Sequence, residues 1–174
     1  MAYILIDGYN LIGIVHWNLE KARNDLVQRL YEYAQIKGHD VTVVFDGWKD
    51  GKLNESRTKI GKVTVIYSKL GEKADSVIKK IISAAAQPLI VVSSDREISD
   101  FAEKKESVVV TAVTSDEFER KLSSAHNVYG DDGTEVPSAY DKDDDIDLMP
   151  FRQKGNPRKL SKKEKKKVEA LKKL

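Results

Sequence analysis

The chain has 174 residues, enough for one compact domain of roughly 100 to 200 residues with an appendage and too few for two full cores. It has no cysteine and three histidines, His16, His39 and His126, in separate regions, which excludes a disulfide framework and a thiolate zinc site and leaves oxygen as the main metal donor. The net charge of +2 hides a segregation: residues 1–127 carry 18 basic and 18 acidic side chains, 131–147 carry eight acidic ones and one lysine, and 152–174 carry eleven basic and two acidic ones.

Short β-branched runs alternate with amphipathic stretches, the pattern of a parallel sheet covered by helices. In chain order, strands are expected at Tyr3–Ile6, Val41–Phe45, Val63–Tyr67, Leu89–Val92 and Val108–Thr111. All but the third are nearly continuous apolar runs, as strands buried on both faces require. The first helix aligns Leu19, Ala22, Leu26, Leu30 and Tyr33 on one stripe and stops near Gly38. A second is expected from about Glu72 to Ala86, burying Ala74, Val77, Ile78, Ile81 and Ile82. A short third, near Arg96 to Lys104, offers Ile98, Phe101 and Ala102 to the sheet. The fourth opens on a Thr114–Glu117 capping box and packs Phe118 and Leu122, and the stretch from Trp48 to Lys62 reads as a loop.

Past Asn127 the hydrophobic periodicity stops. Residues 1–127 therefore form the expected folded domain, 128–150 an acidic disordered linker, and 151–174 a basic helical tail. Within that tail, Ser161 to Glu164 has a capping-box pattern, and Val168, Leu171 and Leu174 make a thin apolar edge. The fold class is α/β: three layers around a mostly parallel five-stranded sheet, with a flexible charged C-terminal tail. The N-terminal apolar run has no basic region ahead of it, and no apolar stretch approaches the roughly 18 residues of a membrane span, so a cytoplasmic protein without membrane contact is expected.

In an open parallel sheet, ligands bind beyond the carboxyl ends of the strands. Asp7 follows the first expected strand, Asp46 the second and Asp95 the fourth, while Asp75 falls in the opening turn of the helix after the third. Singly, each has an ordinary explanation: Asp7-Gly8 and Asp46-Gly47 are turn dipeptides, Asp95 caps a helix, and Asp75 suits a helix N-terminus. Together, converging carboxylates without basic partners repel one another unless a cation neutralises them. An oxygen donor set of this kind suits Mg²⁺ or Mn²⁺, and two such ions about 4 Å apart are suited to hydrolysing a phosphodiester.

These residues also carry a resemblance. Asp7-Gly8-Tyr9-Asn10-Leu11-Ile12, directly after a strand, resembles the opening motif of the NYN domain family in its bacterial YacP-like branch, part of the PIN-like nuclease group. Val43-Val44-Phe45-Asp46, Ala74-Asp75 and Ser93-Ser94-Asp95 resemble that branch's second, third and fourth motifs, in order, over residues 1 to about 125. The resemblance implies a PIN-like fold, a Mg²⁺ or Mn²⁺ site and endoribonuclease activity. Carried over, it gives Asp7, Asp46, Asp75 and Asp95 as metal-binding acids, Asn10 as a holder of water or a phosphate oxygen, and Ser94 as support for the ligand shell. Turn capping by Asn10 and a helix N-terminal hydrogen bond from Ser94 are the plain alternatives. The acidic linker and lysine-rich end lie outside the motif set and inherit no role.

RNA affinity needs cations against phosphates and planar groups against bases. Lys49, Lys52, Arg57, Lys59 and Lys62 in the Trp48–Lys62 stretch, with Lys69, Lys73 and Arg96, form a candidate phosphate track for single-stranded RNA. Trp48, and beside it Tyr9 and Trp17, are candidates for stacking on bases, the alternative being lids over the core. The tail from Arg152 is a candidate for contact with RNA or a ribonucleoprotein surface. A structure-specific DNA nuclease on a related fold is one rival, with no helical arch or duplex-binding motif in the sequence to support it, and two rivals from other classes remain. One is a non-catalytic RNA-binding module with the same fold. The other is a receiver-like domain accepting phosphate on Asp46, which fits poorly because Asp7 is followed by Gly8 and Val110-Thr111-Ala112 offers no lysine.

Overall fold

The computed structural model describes residues 2–13, 18–47, 54–105, 110–129 (side chains to 125) and 161–174. The expectations placed on Trp17, Trp48, Lys49, Lys52 and the acidic linker lie outside the described residues.

Strand β1 (Tyr3–Asp7) leads into a one-turn helix α1 (Gly8–Ile12) and then α2 (Leu19–Lys37), β2 (Asp40–Phe45), β3 (Ser56–Ile60), β4 (Val63–Tyr67) and α3 (Ala74–Ala84). The second half runs β5 (Leu89–Val92), α4 (Arg96–Glu103), β6 (Val110–Val113), α5 (Ser115–Tyr129) and α6 (Lys162–Lys173). The sheet order is β3-β4-β2-β1-β5-β6, parallel throughout except for the antiparallel β3–β4 pair. From β1 the chain builds outward on one side through β2 and β4, then returns to build the other side with β5 and β6. The strand order therefore reverses at β1.

The strands are covered on both faces, as their unbroken apolar runs require. On one face α2 and α5 lay Leu26, Leu30, Phe118 and Leu122 over Ile4, Ile6, Val43 and Val92. On the other, α3 and α4 lay Val77, Ile78, Ile82 and Ile98 over Leu5, Val44, Ile66 and Val91. Helix α2 starts where Asn18 accepts the Lys21 amide at 2.9 Å and stops at Gly38, which takes the left-handed φ of 70°.

Several expectations need correction. The sheet has six strands, because part of the Trp48–Lys62 stretch is β3, joined to β4 by the two-residue turn Gly61–Lys62. Its Arg57, Thr58, Lys59 and Ile60 are all exposed on an edge strand, so no apolar run announces it. The last strand covers Val110–Val113, later than expected at its carboxyl end, while Val108 and Val109 fall outside the described residues. Helix α1 is too short for periodicity to reveal.

The described part of the C-terminal tail, residues 161–174, is no free appendage. Its capping box forms at Ser161 and Glu164, and Ala170 and Leu174 are buried in the same core as Leu30 and Tyr33. The Tyr33 hydroxyl donates to the Leu174 carbonyl at 3.0 Å, and His39 Nε2 meets the Lys173 carbonyl at 2.7 Å. Leu171 packs inward, whereas Val168 stays 41% exposed.

Candidate active site

All four sequence-predicted aspartates lie at the carboxyl end of the sheet, around the reversal at β1. Three of them accept a helix N-terminal amide, which is the plain explanation expected for Asp95 but not the turn role expected for Asp7 and Asp46. Asp7 Oδ1 accepts the Asn10 amide at 3.1 Å and caps α1, and Asp95 Oδ1 accepts the Glu97 amide at 2.7 Å and caps α4. Asp46 reaches across from β2 and accepts the Ala74 amide at 2.6 Å, supplying α3 with the cap that Lys73 lacks. Capping engages one oxygen of each carboxylate. The helix N-termini thus aim these side chains at one region and leave the second oxygens for another partner.

The carboxylates feel one another. Asp7 is 8% exposed, and burial pushes its carboxyl up to about 6, against the Asn10 amide, with Asp75, Asp46 and Asp95 adding to the rise. Asp75 is also raised, first by burial and then by Asp95 and Asp46, with Lys79 and Lys73 opposing. No cationic side chain pairs with Asp7 among the described residues. Nor, among the described residues, do any three carboxylate or histidine side chains close round one point as a ready-made metal cage. The donor chemistry nonetheless fits Mg²⁺ or Mn²⁺. Mg²⁺ in particular keeps several waters and is commonly held by one or two carboxylates, so a closed cage is not required.

The Asn10 side chain bonds to distant segments and not to its own turn. Its Oδ1 accepts the Ser94 amide at 2.8 Å and the hydroxyl of Ser115, while the Ser115 amide donates to Ser94 Oγ at 3.1 Å. Ser94 therefore makes the expected helix N-terminal hydrogen bond, but to α5 and not to its own helix. Ser115 was missed by the sequence reading. The Thr114–Glu117 capping box marks the helix start beside it, yet nothing local ties Ser115 to α1, 105 residues earlier. Ser68 was missed too: its buried hydroxyl accepts the Gly47 amide at 3.0 Å and fixes the backbone next to Asp46. Gly47 itself sits so close that a Cβ would meet the Ser68 carbonyl oxygen at 1.7 Å.

The candidate RNA contacts spread more widely. Lys73 and Arg96, both exposed, stand at the N-termini of α3 and α4 beside Asp75 and Asp95. Arg57 and Lys59 lie on β3, two strands away from β2, and Lys59 pairs in register with Thr64, well down from the carboxyl edge. Arg57 is bound to Glu55 at 2.7 Å. Lys62 serves the opposite end of the sheet, where Nζ donates to the Gly38 carbonyl at 3.2 Å. Tyr9 packs edge-on against Phe45 at 5.4 Å, a lid over the core.

A family model for the YacP-like NYN domain matches residues 4–173, nearly the whole chain. The chain belongs to the YacP-like NYN domain family. Among relatives, the uncharacterized protein YacP of Bacillus subtilis is 36% identical over 107 residues, 55% of this chain and 61% of that protein. The aligned stretch thus spans less than two thirds of the relative's length. Among solved structures, Rae1 (YacP) from Bacillus subtilis in a tryptophan-to-leucine variant superposes with a TM-score of 0.59 at 28% identity, covering 74% of this chain and 79% of that one. A second Rae1 (YacP) structure gives 0.56 at 26% identity, covering 74% and 77%.

Membership in the YacP-like NYN family brings the PIN-like nuclease fold expected from the motifs and removes the receiver-like rival. It also extends past the motif set: the matched region includes α6, in keeping with the burial of Ala170 and Leu174. No helix among the described residues is long and apolar enough to cross a membrane.

Proposed function

We propose that this YacP-like NYN protein is a divalent-metal-dependent endoribonuclease acting on single-stranded RNA. The observation that carries the reading is Asp7: a buried carboxyl at the strand-order reversal, held by one backbone amide, without a cationic partner among the described residues, and pushed up to about 6 partly by three other carboxylates. Such a site gains by taking up positive charge.

Asp7, Asp46 and Asp95, through the oxygens their capping bonds leave over, would hold Mg²⁺ or Mn²⁺ together with Asp75 in the first turn of α3. Bound there, the ions would supply charge neutralisation and acidify water for attack on a phosphodiester. The chain's own residues do the rest. The three helix caps fix the carboxylates, and Asn10 offers its carboxamide hydrogens to a phosphate oxygen or to water. Lys73 and Arg96 draw the flanking phosphates toward the edge of the site, with Arg57 and Lys59 further out along β3; Lys49 and Trp48 belong to the same proposed RNA contact set. Hydrolysis of this kind leaves 5′-phosphate and 3′-hydroxyl ends. On α6, Lys162, Lys165, Lys166 and Lys172 are exposed without a carboxylate partner among the described residues, and we assign them non-specific affinity for RNA or a ribonucleoprotein surface.

The deciding experiment is cleavage of an end-labelled single-stranded RNA with Mn²⁺, Mg²⁺ or EDTA by the wild type, Asp7→Asn and Asp95→Asn. Metal-dependent cutting abolished by both substitutions is expected. Cutting that persists in EDTA, or yields 2′,3′-cyclic phosphate ends, would overturn the mechanism. RNA binding without cutting under any metal would transfer the reading to a non-catalytic RNA-binding module.

A further inference from the structure

The rim of the aspartate site holds a side chain outside every motif. Ser115, the first residue of α5, is 6% exposed. Its hydroxyl donates to Asn10 Oδ1, and its backbone amide donates to Ser94 Oγ at 3.1 Å. The Ser94 backbone amide donates to the same Asn10 Oδ1 at 2.8 Å. A backbone N–H can only donate, so the Asn10 oxygen must be the atom that faces Ser94, and the Ser115 hydroxyl fills its second acceptor position. Both acceptor positions of the carboxamide are thereby taken. Its other end, Nδ2, keeps two hydrogens and has no acceptor among the described residues. The same residue's backbone amide is held by Asp7, so main chain and side chain of Asn10 are fixed from opposite directions.

A wall of carboxylates repels the non-bridging oxygens of a phosphodiester, and a fixed donor in that wall has the chemistry to receive one. We propose that Ser115 is a positioning residue, which holds the Asn10 carboxamide so that its Nδ2 hydrogens meet a non-bridging phosphate oxygen of the RNA. The inference rests on reading the site as a phosphodiester-cleaving one. Ser115 suits the task because it joins the segments that follow β1, β5 and β6 through side-chain and backbone bonds at once. At the first position of α5 its amide has no partner inside the helix, so the bond to Ser94 costs the helix nothing.

The test compares the wild type with Ser115→Ala, Ser115→Thr, Asn10→Ala and the Asn10→Ala/Ser115→Ala double variant, each assayed for RNA cleavage in Mn²⁺. Ser115→Ala should lower kcat about 10- to 100-fold, the scale of a misplaced reactive group, with KM held within about twofold. Ser115→Thr, which keeps the hydroxyl, should recover most of that loss. In the Asn10→Ala background the second substitution should cost nothing further. A kcat unchanged in Ser115→Ala, or losses that add in full in the double variant, would overturn the inference while leaving the nuclease reading intact. A wild type that cuts no RNA would overturn both. A further measurement needs no variant to fold: the Asn10 side-chain amide signal of ¹⁵N-labelled wild type should move when a non-cleavable RNA analogue is added, and a signal that stays put counts against the inference.

Discussion

Asp7 is the residue where stability and the proposed chemistry oppose each other. Unfolded, its carboxyl ionises near 3.8; folded, at about 6. Between those values the folded chain keeps a proton that the unfolded chain has released. Its contribution to stability is therefore present at low pH, falls as pH rises through this window, and stays lost above it. A rise of about two pH units corresponds to about 3 kcal/mol. Asparagine caps helices as well as aspartate does and carries no charge. In EDTA at pH 8, Asp7→Asn should thus melt above the wild type, with the gap closing below pH 4, while RNA cutting is lost. Equal melting points at pH 8 by circular dichroism would remove the claim that the buried charge is costly.

Among the elements, α6 shows how a helix that reads as solvated becomes part of a core. Lysines dominate Lys162–Lys173, yet Ala170, Leu171 and Leu174 pack into the core, two backbone carbonyls meet Tyr33 and His39, and Lys163 and Lys167 pair with Glu103 and Glu117. His39 is central to that docking. Nδ1 accepts the Ala2 amide at 3.3 Å and Nε2 donates to Lys173, an arrangement only the neutral ring satisfies. Burial, together with the N-terminus, Lys37 and Lys62, lowers the ring's pKa against the pull of the Lys173 carbonyl. As pH falls below the ordinary histidine value of about 6.5, the unfolded chain takes up the proton first. Stability is therefore lost down to the folded pKa, and Glu169 is the acidic side chain of α6 nearest this end of the sheet. Urea unfolding at pH 7 and pH 5 should show the wild type losing more stability than His39→Gln, and parallel losses would dismiss the histidine.

At the scale of the molecule, the site is a property of the sheet's assembly, so ligand binding should stabilise the whole fold. An ion present at about 100 times its dissociation constant adds about 2.7 kcal/mol. For a chain of this size that is roughly 5 to 10 °C in melting temperature. Mn²⁺ at pH 8 should raise the wild type by about that much and leave an Asp46→Asn/Asp95→Asn variant unmoved. A rise of the same size in both would place the ion elsewhere.

The division between what was legible in the sequence and what was not follows from the range of the forces involved. Apolar runs at Tyr3–Ile6, Val41–Phe45 and Leu89–Val92, the β-branched run Val63–Tyr67 and the stripe of α2 are local patterns, and they determined the layered parallel sheet by themselves. The aspartates were legible because strand ends and helix starts carry turn and cap residues wherever the chain goes. The edge strand β3 was hidden because Arg57, Thr58, Lys59 and Ile60 are all exposed, so the strand carries no hydrophobic period. The docking of α6 and the Asn10–Ser94–Ser115 network were decided only by the tertiary structure. Their bonds join groups 21 to 141 residues apart, and a hydrogen bond, unlike a hydrophobic stripe, leaves no periodic mark on the sequence that makes it.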